Sequence, residues 1–149
     1  MIRKFITSVI MVLTMTSPWT MGASKAVTAN PYVSCKFEVN KKSFRPGSKG
    51  ELLITLTPVK GIHINLAPAI TVELDSGGTI VKRGTAQIPG KEKFLDVTKS
   101  IRQPFFVSPS GGPAKVAIKG TITYYYCSDA EGWCSKFKQP FELSIIVVQ

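Results

Sequence analysis

The sequence has 149 residues, with 19 Lys and Arg against 9 Asp and Glu, which fits one small basic domain and excludes a multidomain enzyme. At 44% hydrophobic and 19% charged, the chain can bury enough apolar surface to fold, which excludes intrinsic disorder.

Residues 1–26 are ordered like a secretory signal peptide. Arg3 and Lys4 make a positive start, residues 5–16 are apolar, Pro18 breaks a helix, and Gly22, Ala23, Ser24 and Ala26 are small. Ser24-Lys25-Ala26 puts small residues at both positions a signal peptidase reads, so cleavage is expected after Ala26, with Met21-Gly22-Ala23 a poorer second site. An anchor would need roughly 18 to 20 apolar residues, more than this run supplies, and no Cys follows it to accept a lipid. The mature chain, residues 27–149, is therefore expected to be periplasmic or secreted, with no stable membrane anchor.

The leader takes three of the 19 basic residues and none of the 9 acidic ones, so the mature chain stands at +7. Its cations come singly or in pairs (Lys41 and Lys42, Lys82 and Arg83, Lys136 and Lys138) without an aromatic-interleaved stripe. A solvated basic surface is expected, and nucleic acid is not an expected partner. Met1, Met11, Met15 and Met21 all leave with the leader, and His63 is the only His. Neither a metal site nor a cofactor is expected from that inventory.

In the mature chain, apolar and polar residues alternate in short runs punctuated by Gly and Pro, the period of half-buried strands. Val33, Cys35, Phe37 and Val39 share one face of a first strand, and Phe44-Arg45-Pro46-Gly47-Ser48 turns the chain. Leu52, Ile54 and Leu56 face inward on a second strand. Pro58 to Gly61 breaks that run, Ile62 and Ile64 begin a third strand, and Ile70, Val72 and Leu74 continue the pattern to a turn at Asp75-Ser76-Gly77-Gly78. Residues 79–93 read as a strand followed by a loop. Extended structure resumes over 101–107, and Ser108-Pro109-Ser110-Gly111-Gly112-Pro113 makes a sharp loop. Val116, Ile118, Ile122, Tyr124 and Tyr126 then occupy alternate positions of a long strand, and residues 141–148 alternate equally well. The predicted fold class is all-β, a single sandwich domain.

Three Cys in an exported chain leave one unpaired. Cys35 alternates with core positions, where a free thiol behaves as a small hydrophobe. Cys127 lies on the opposite face from Ile122, Tyr124 and Tyr126, and Cys134 follows after six residues. The intervening Ser128-Asp129-Ala130-Glu131-Gly132-Trp133 is polar and holds a Gly, so it predicts a hairpin that brings Cys127 and Cys134 face to face. Opposed residues of an antiparallel pair lie about 4.5 to 5.5 Å apart at Cα, within a disulfide's reach. A loop this small gives the bridge a modest entropic value, roughly 2.5 kcal/mol. Lys136 and Lys138 share the face of Cys134 while Asp129 and Glu131 oppose them, so local charge leaves both an exchange-active pair and a static hairpin staple open.

Gly61-Ile62-His63-Ile64-Asn65 followed by Pro68, and then Thr123-Tyr124-Tyr125-Tyr126-Cys127 through Cys134, resemble the amino-terminal (disulfide bond corrector) domain of the thiol:disulfide interchange protein DsbD family. The resemblance covers nearly all of the mature chain. It implies an immunoglobulin-like antiparallel β-sandwich in the periplasm whose cysteine pair relays electrons from a membrane partner to oxidised thiol proteins. It also implies that Cys127 and Cys134 are the redox pair and that Lys93-Phe94-Leu95-Asp96 is the cap loop, with Phe94 as its lid. Asp96 could then help move protons, as a carboxylate near the pair does in the family, and His63 lies in the strand beneath the pair, where it could tune it or be a plain polar residue on a sandwich face. Two departures stand out. The family's best-known pattern has five residues between the cysteines where this chain has six, and the transmembrane segment and thioredoxin-like module usually fused behind are not in this sequence. Electrons are therefore expected from a separate membrane donor, to a monomeric domain serving periplasmic thiol-disulfide proteins. The competing expectation is a non-catalytic immunoglobulin-like structural or binding module with a stapled hairpin. A small-ligand binder using Tyr124, Tyr125, Tyr126 and Trp133 is a third, although aromatics at a strand end usually pack core and rim.

Overall fold

In the computed structural model, residues 29–149 are described apart from Ser76, Gly77 and Gly111, and the predicted leader over 1–26 lies outside the described residues. The alternation resolves into two sheets, and no helix occurs among the described residues. The first sheet is formed by β1 (Val33–Val39), β3 (Lys49–Pro58), β9 (Ile101–Val107) and β6 (Ile80–Lys82), in that order across the sheet. The second runs β2 (Ser43–Phe44), β11 (Trp133–Val147), β10 (Ala114–Ser128), β4 (Ile62–Asn65), β8 (Phe94–Leu95) and β7 (Gly90–Lys91), with β5 (Thr71–Leu74) also paired to β10. All pairings are antiparallel except β2 with β11. The chain is thus the all-β sandwich that its period predicts.

The inward faces interdigitate as two sandwich faces should. Leu52, Ile54 and Leu56 of β3 and Ile101, Phe105 and Val107 of β9 are all but inaccessible, and they meet Ile64, Val72, Ile118, Ile122, Tyr124 and Ile145 of the other sheet. Each fully buried aliphatic or Phe side chain contributes roughly 1.5–3 kcal/mol relative to leaving it in water. Phe37 stacks on Phe141 at 4.7 Å and joins β1 to β11. Gly120 interrupts the apolar alternation of β10 because a Cβ there would stand 2.2 Å from the carbonyl oxygen of Glu73. That close approach lets β5 lie against β10.

The predicted third strand divides. Ile62 and Ile64 belong to β4, whereas Val72 and Leu74 belong to β5, and residues 66–70 between them contain a cis Ala67–Pro68 peptide bond. Pro68 has no N–H to give to a ladder. Both pieces pair with β10, β5 along its middle and β4 along its end. The loop predicted after β6 is real, but it closes in the short hairpin β7–β8.

The β10–β11 hairpin is the longest element, two fifteen-residue strands paired along their whole length from Ala114↔Val147 to Ser128↔Trp133. Its tip, together with β4 and β8, forms one end of the sandwich.

Candidate functional site

Residues 129–132 turn the hairpin. Gly132 takes φ +69°, a left-handed conformation that a side chain disfavours, and its N–H donates to the Ser128 carbonyl at 2.9 Å. Glu131 N–H donates to Ser128 Oγ at 3.3 Å. Immediately before this turn Cys127 faces Cys134 directly, and the two are joined in a disulfide with Cα atoms 4.0 Å apart.

The register on the other side of β10 supplies the neighbours. Cys127 faces His63 of β4, and two positions back Tyr125 faces Asn65. Asn65 in turn faces Phe94 of β8. Side chains on one face recur every second residue, so His63, Cys127 and Cys134 form one row across three strands. Phe94, Asn65, Tyr125 and Lys136 form the next.

His63, Cys127 and Cys134 of the first row and Phe94 and Asn65 of the second border a recess of about 480 Å³, which Trp133 also lines. The His63 and Phe94 rings lie 4.2 Å apart between centroids. The two cysteines differ sharply in access. Cys127 is only 4% exposed although it is on the outer face of the sheet, whereas Cys134 is exposed. Asn65 Nδ2 donates to Cys127 Sγ at 3.0 Å.

Charge near the pair is divided. His63 Nδ1 is 3.2 Å from Asp129 Oδ2, which ties β4 to the hairpin turn. Trp133 Nε1–H donates to Glu131. The Lys93 ammonium sits 5.1 Å from the Phe94 ring centroid and that of Lys136 5.7 Å from the Tyr125 ring, cation–π contacts that hold positive charge at the rim. Behind the tip, Trp133 packs 5.1 Å from Tyr32 and edge-on to Tyr126 at 5.8 Å.

The residues singled out from sequence therefore fall as follows. Cys127, Cys134, His63 and Phe94 all line the recess. Phe94 is held there because its neighbour Leu95 is buried, Lys93 C=O accepts from Leu66 N–H at 3.0 Å, and Asp96 N–H donates to Pro89 C=O at 2.9 Å. Asp96 does not line the recess. Its carboxylate accepts from Thr98 Oγ1 at 2.6 Å and Thr98 N–H at 3.2 Å and meets Lys99 Nζ at 3.2 Å. The Thr98 bonds first, and then Lys99, hold the Asp96 carboxyl below its usual range, so it is an ionised anchor of its own loop. Asn65 and Asp129 are the members the sequence pattern did not single out for a role. Parity with His63 puts Asn65 on the right face, but only the β4–β10 register shows that it reaches a sulfur.

Cys35 is free and half-buried on β1. Its thiol donates to Tyr124 Oη at 3.9 Å, and Asn30 Nδ2 donates to the same oxygen at 3.0 Å. Burial pushes the Cys35 thiol up from its ordinary range, which the Tyr124 contact partly offsets. Burial first, and then the Cys35 charge, push the Tyr124 hydroxyl up as well. Among the described residues no group of three His, Cys, Asp or Glu side chains converges to hold a metal ion.

The fold and the site thus define a class: an all-β sandwich with a cross-strand disulfide seated in a surface recess. Compared with protein-family models, with curated proteins and with solved structures, the chain gives no match. Its functional reading rests on the motif and on this geometry.

Proposed function

We propose that the chain is a periplasmic thiol–disulfide exchange module of the kind found at the amino terminus of the DsbD family, passing electrons through Cys127 and Cys134. One observation carries the reading: the disulfide has one exposed and one buried sulfur-bearing residue, in a recess bordered by an aromatic ring, Phe94. A staple has no use for that asymmetry. The hairpin also needs little stapling, since its strands are already paired over fifteen residues on each side.

The chemistry follows from access. A donor thiolate attacks Sγ of the exposed residue Cys134, the Cys127–Cys134 bond breaks, and Cys127 departs with the electron pair as a thiolate. The donor's second thiol then attacks its own sulfur in the mixed disulfide, which leaves the donor oxidised and Cys134 as a thiolate. Both cysteines take up protons from solvent. In the other direction, Cys134 attacks a client disulfide and Cys127 resolves the mixed disulfide, so two electrons pass on to the client. Phe94 limits attack by thiols that do not dock on the recess, because a partner must reach past its ring.

Equilibrium titration of the intact mature chain against a thiol–disulfide buffer tests this. An exchange pair should have a potential within about −120 to −270 mV, the span of dithiol carriers, and a potential below about −300 mV would make the bridge structural and overturn the reading.

A further inference from the structure

We infer that Asn65 is a positioning residue that makes Cys127, and not Cys134, the leaving sulfur of the pair. The inference rests on the exchange reading above and assigns the direction in which the bond opens. The Asn65 side-chain amide donates to Cys127 Sγ at 3.0 Å. Its own strand is held on both sides, by Tyr125 of β10 and by Phe94 of β8, and the next residue, Leu66, bonds through its N–H to Lys93. The amide is therefore fixed in place before any reaction occurs.

The need for such a donor comes from burial. Cys127 is 4% exposed, so a thiolate formed there has almost no water to solvate it, and burial alone disfavours the charged form. A hydrogen bond to a neutral disulfide sulfur is weak, but it becomes charge-assisted once that sulfur carries the electron pair, and so it strengthens as the bond breaks. The other groups around Cys127 serve less well. His63 is engaged by Asp129 and Phe94, Asp129 is itself an anion, and the Lys93 ammonium lies over the Phe94 ring. Cys134 is exposed to water and needs no protein donor.

In reduction the thiolate of a monothiol or dithiol donor bonds to Cys134 Sγ, the electron pair of the broken bond goes to Cys127 Sγ, and Asn65 stabilises the charge until a proton arrives from solvent. In the reverse direction the same bond keeps Cys127 partly ionised while it attacks Cys134 in the mixed disulfide with a client.

The experiment compares the mature protein with Asn65→Ala and Asn65→Asp, the latter close in shape but with an anionic acceptor in place of the donor. Reduction by 2-mercaptoethanol is followed by acid quench and peptide mass, which reports both the rate and the cysteine carrying the adduct. The pH profile of Cys127 alkylation is measured in the Cys134→Ser background with and without each Asn65 change. The wild type should form its adduct at Cys134 alone. Asn65→Ala should slow reduction about tenfold, the loss of one charge-assisted bond, and move Cys127 ionisation upward, and Asn65→Asp should do both more strongly. A folded Asn65→Ala and Asn65→Asp that react at the wild-type rate, with Cys127 ionisation unmoved, would overturn the assignment while leaving the exchange reading intact. A wild type that resists reduction under native conditions would instead remove the exchange reading, and this inference with it.

Discussion

Cys35 and the Cys127–Cys134 pair belong to one small sandwich, yet they occupy opposite kinds of surroundings. Cys35 faces inward from β1 onto Leu56, its partner in β3, and the Tyr124 hydroxyl. The pair lies on the outer face at the hairpin tip, with one sulfur-bearing residue open to solvent and a recess beside it. Cys127 is only three residues beyond Tyr124 on the same strand, and parity alone sends the two side chains to opposite faces. The second sheet thus has the spare thiol of β1 against Tyr124 on its inner face and the bonded pair on its outer face, with only the sheet between them.

The largest effect expected from this division is qualitative. Non-reducing peptide mapping should find Cys127 linked to Cys134 and Cys35 free, and Cys127→Ser with Cys134→Ser should abolish exchange with a reduced thioredoxin-like protein, whereas Cys35→Ala should retain it. Linkage of Cys35 to either other cysteine would break the comparison at its root. After Cys127 and Cys134, the contrast is sharpened most by Phe94. Phe94→Ala should accelerate reduction by dithiothreitol by about tenfold, equivalent to about 1.4 kcal/mol of barrier, without a matching loss of stability, and should leave the alkylation rate of Cys35 unchanged. An unchanged reduction rate would show that the ring does not control access.

How much of this was legible beforehand depends on length and register. β1, β3, β9, β10 and the later half of β11 carry enough alternating positions to reveal both their period and their buried face, as Leu52, Ile54 and Leu56 show. β2, β7 and β8 are two residues each, too short to show a period, and they are strands only because a neighbour offers hydrogen bonds. The early half of β11, from Trp133, is legible only through the hairpin around Cys127 and Cys134, because its inward positions are Trp133, Ser135, Phe137 and Gln139, a mixed set that does not read as apolar. The pairing of Cys127 with Cys134 was readable from parity within one hairpin. Asn65 was not, because its contact depends on how β4 registers against β10, across more than sixty residues of chain. Asp96 was placed by resemblance, yet the Asp96-Val97-Thr98-Lys99 sequence folds on itself and takes its carboxylate away from the recess.

A smaller effect separates the two environments spectroscopically. Trp133 is the only Trp among the described residues, sits beside Cys134, and touches Tyr32 and Tyr126. Reduction of the pair should change its emission while the far-ultraviolet dichroism of the sandwich stays constant. Stability should fall by no more than about 2.5 kcal/mol, the loop-entropy value of so short a bridge. Cys35→Ala should leave that fluorescence change as it is. A Trp133 signal that follows Cys35 alkylation instead would mean that the two sites communicate through Tyr124 and Tyr126.

The smallest effect lies in the alkaline limb of stability and belongs to Cys35 alone. Its thiol is raised above the ordinary value of 9.0 by burial, so in the folded protein it keeps its proton at pH values where the unfolded chain has lost it. The unfolded state then binds fewer protons, and stability falls as pH rises. The contribution is fully present below the unfolded value of 9.0 and is lost as pH climbs through the folded one. Tyr124 behaves the same way from its ordinary value of 10.0 upward, so the loss should come in two overlapping stages. Cys35→Ala removes the first stage and costs about 1 kcal/mol of packing near neutral pH, the central value for point substitutions. Urea unfolding of the oxidised protein between pH 7 and pH 11 reads both quantities. The wild type and Cys35→Ala should differ most near neutrality and converge as the pH passes 9.0, and two curves that stay parallel across the range would show that Cys35 ionises as freely in the fold as outside it.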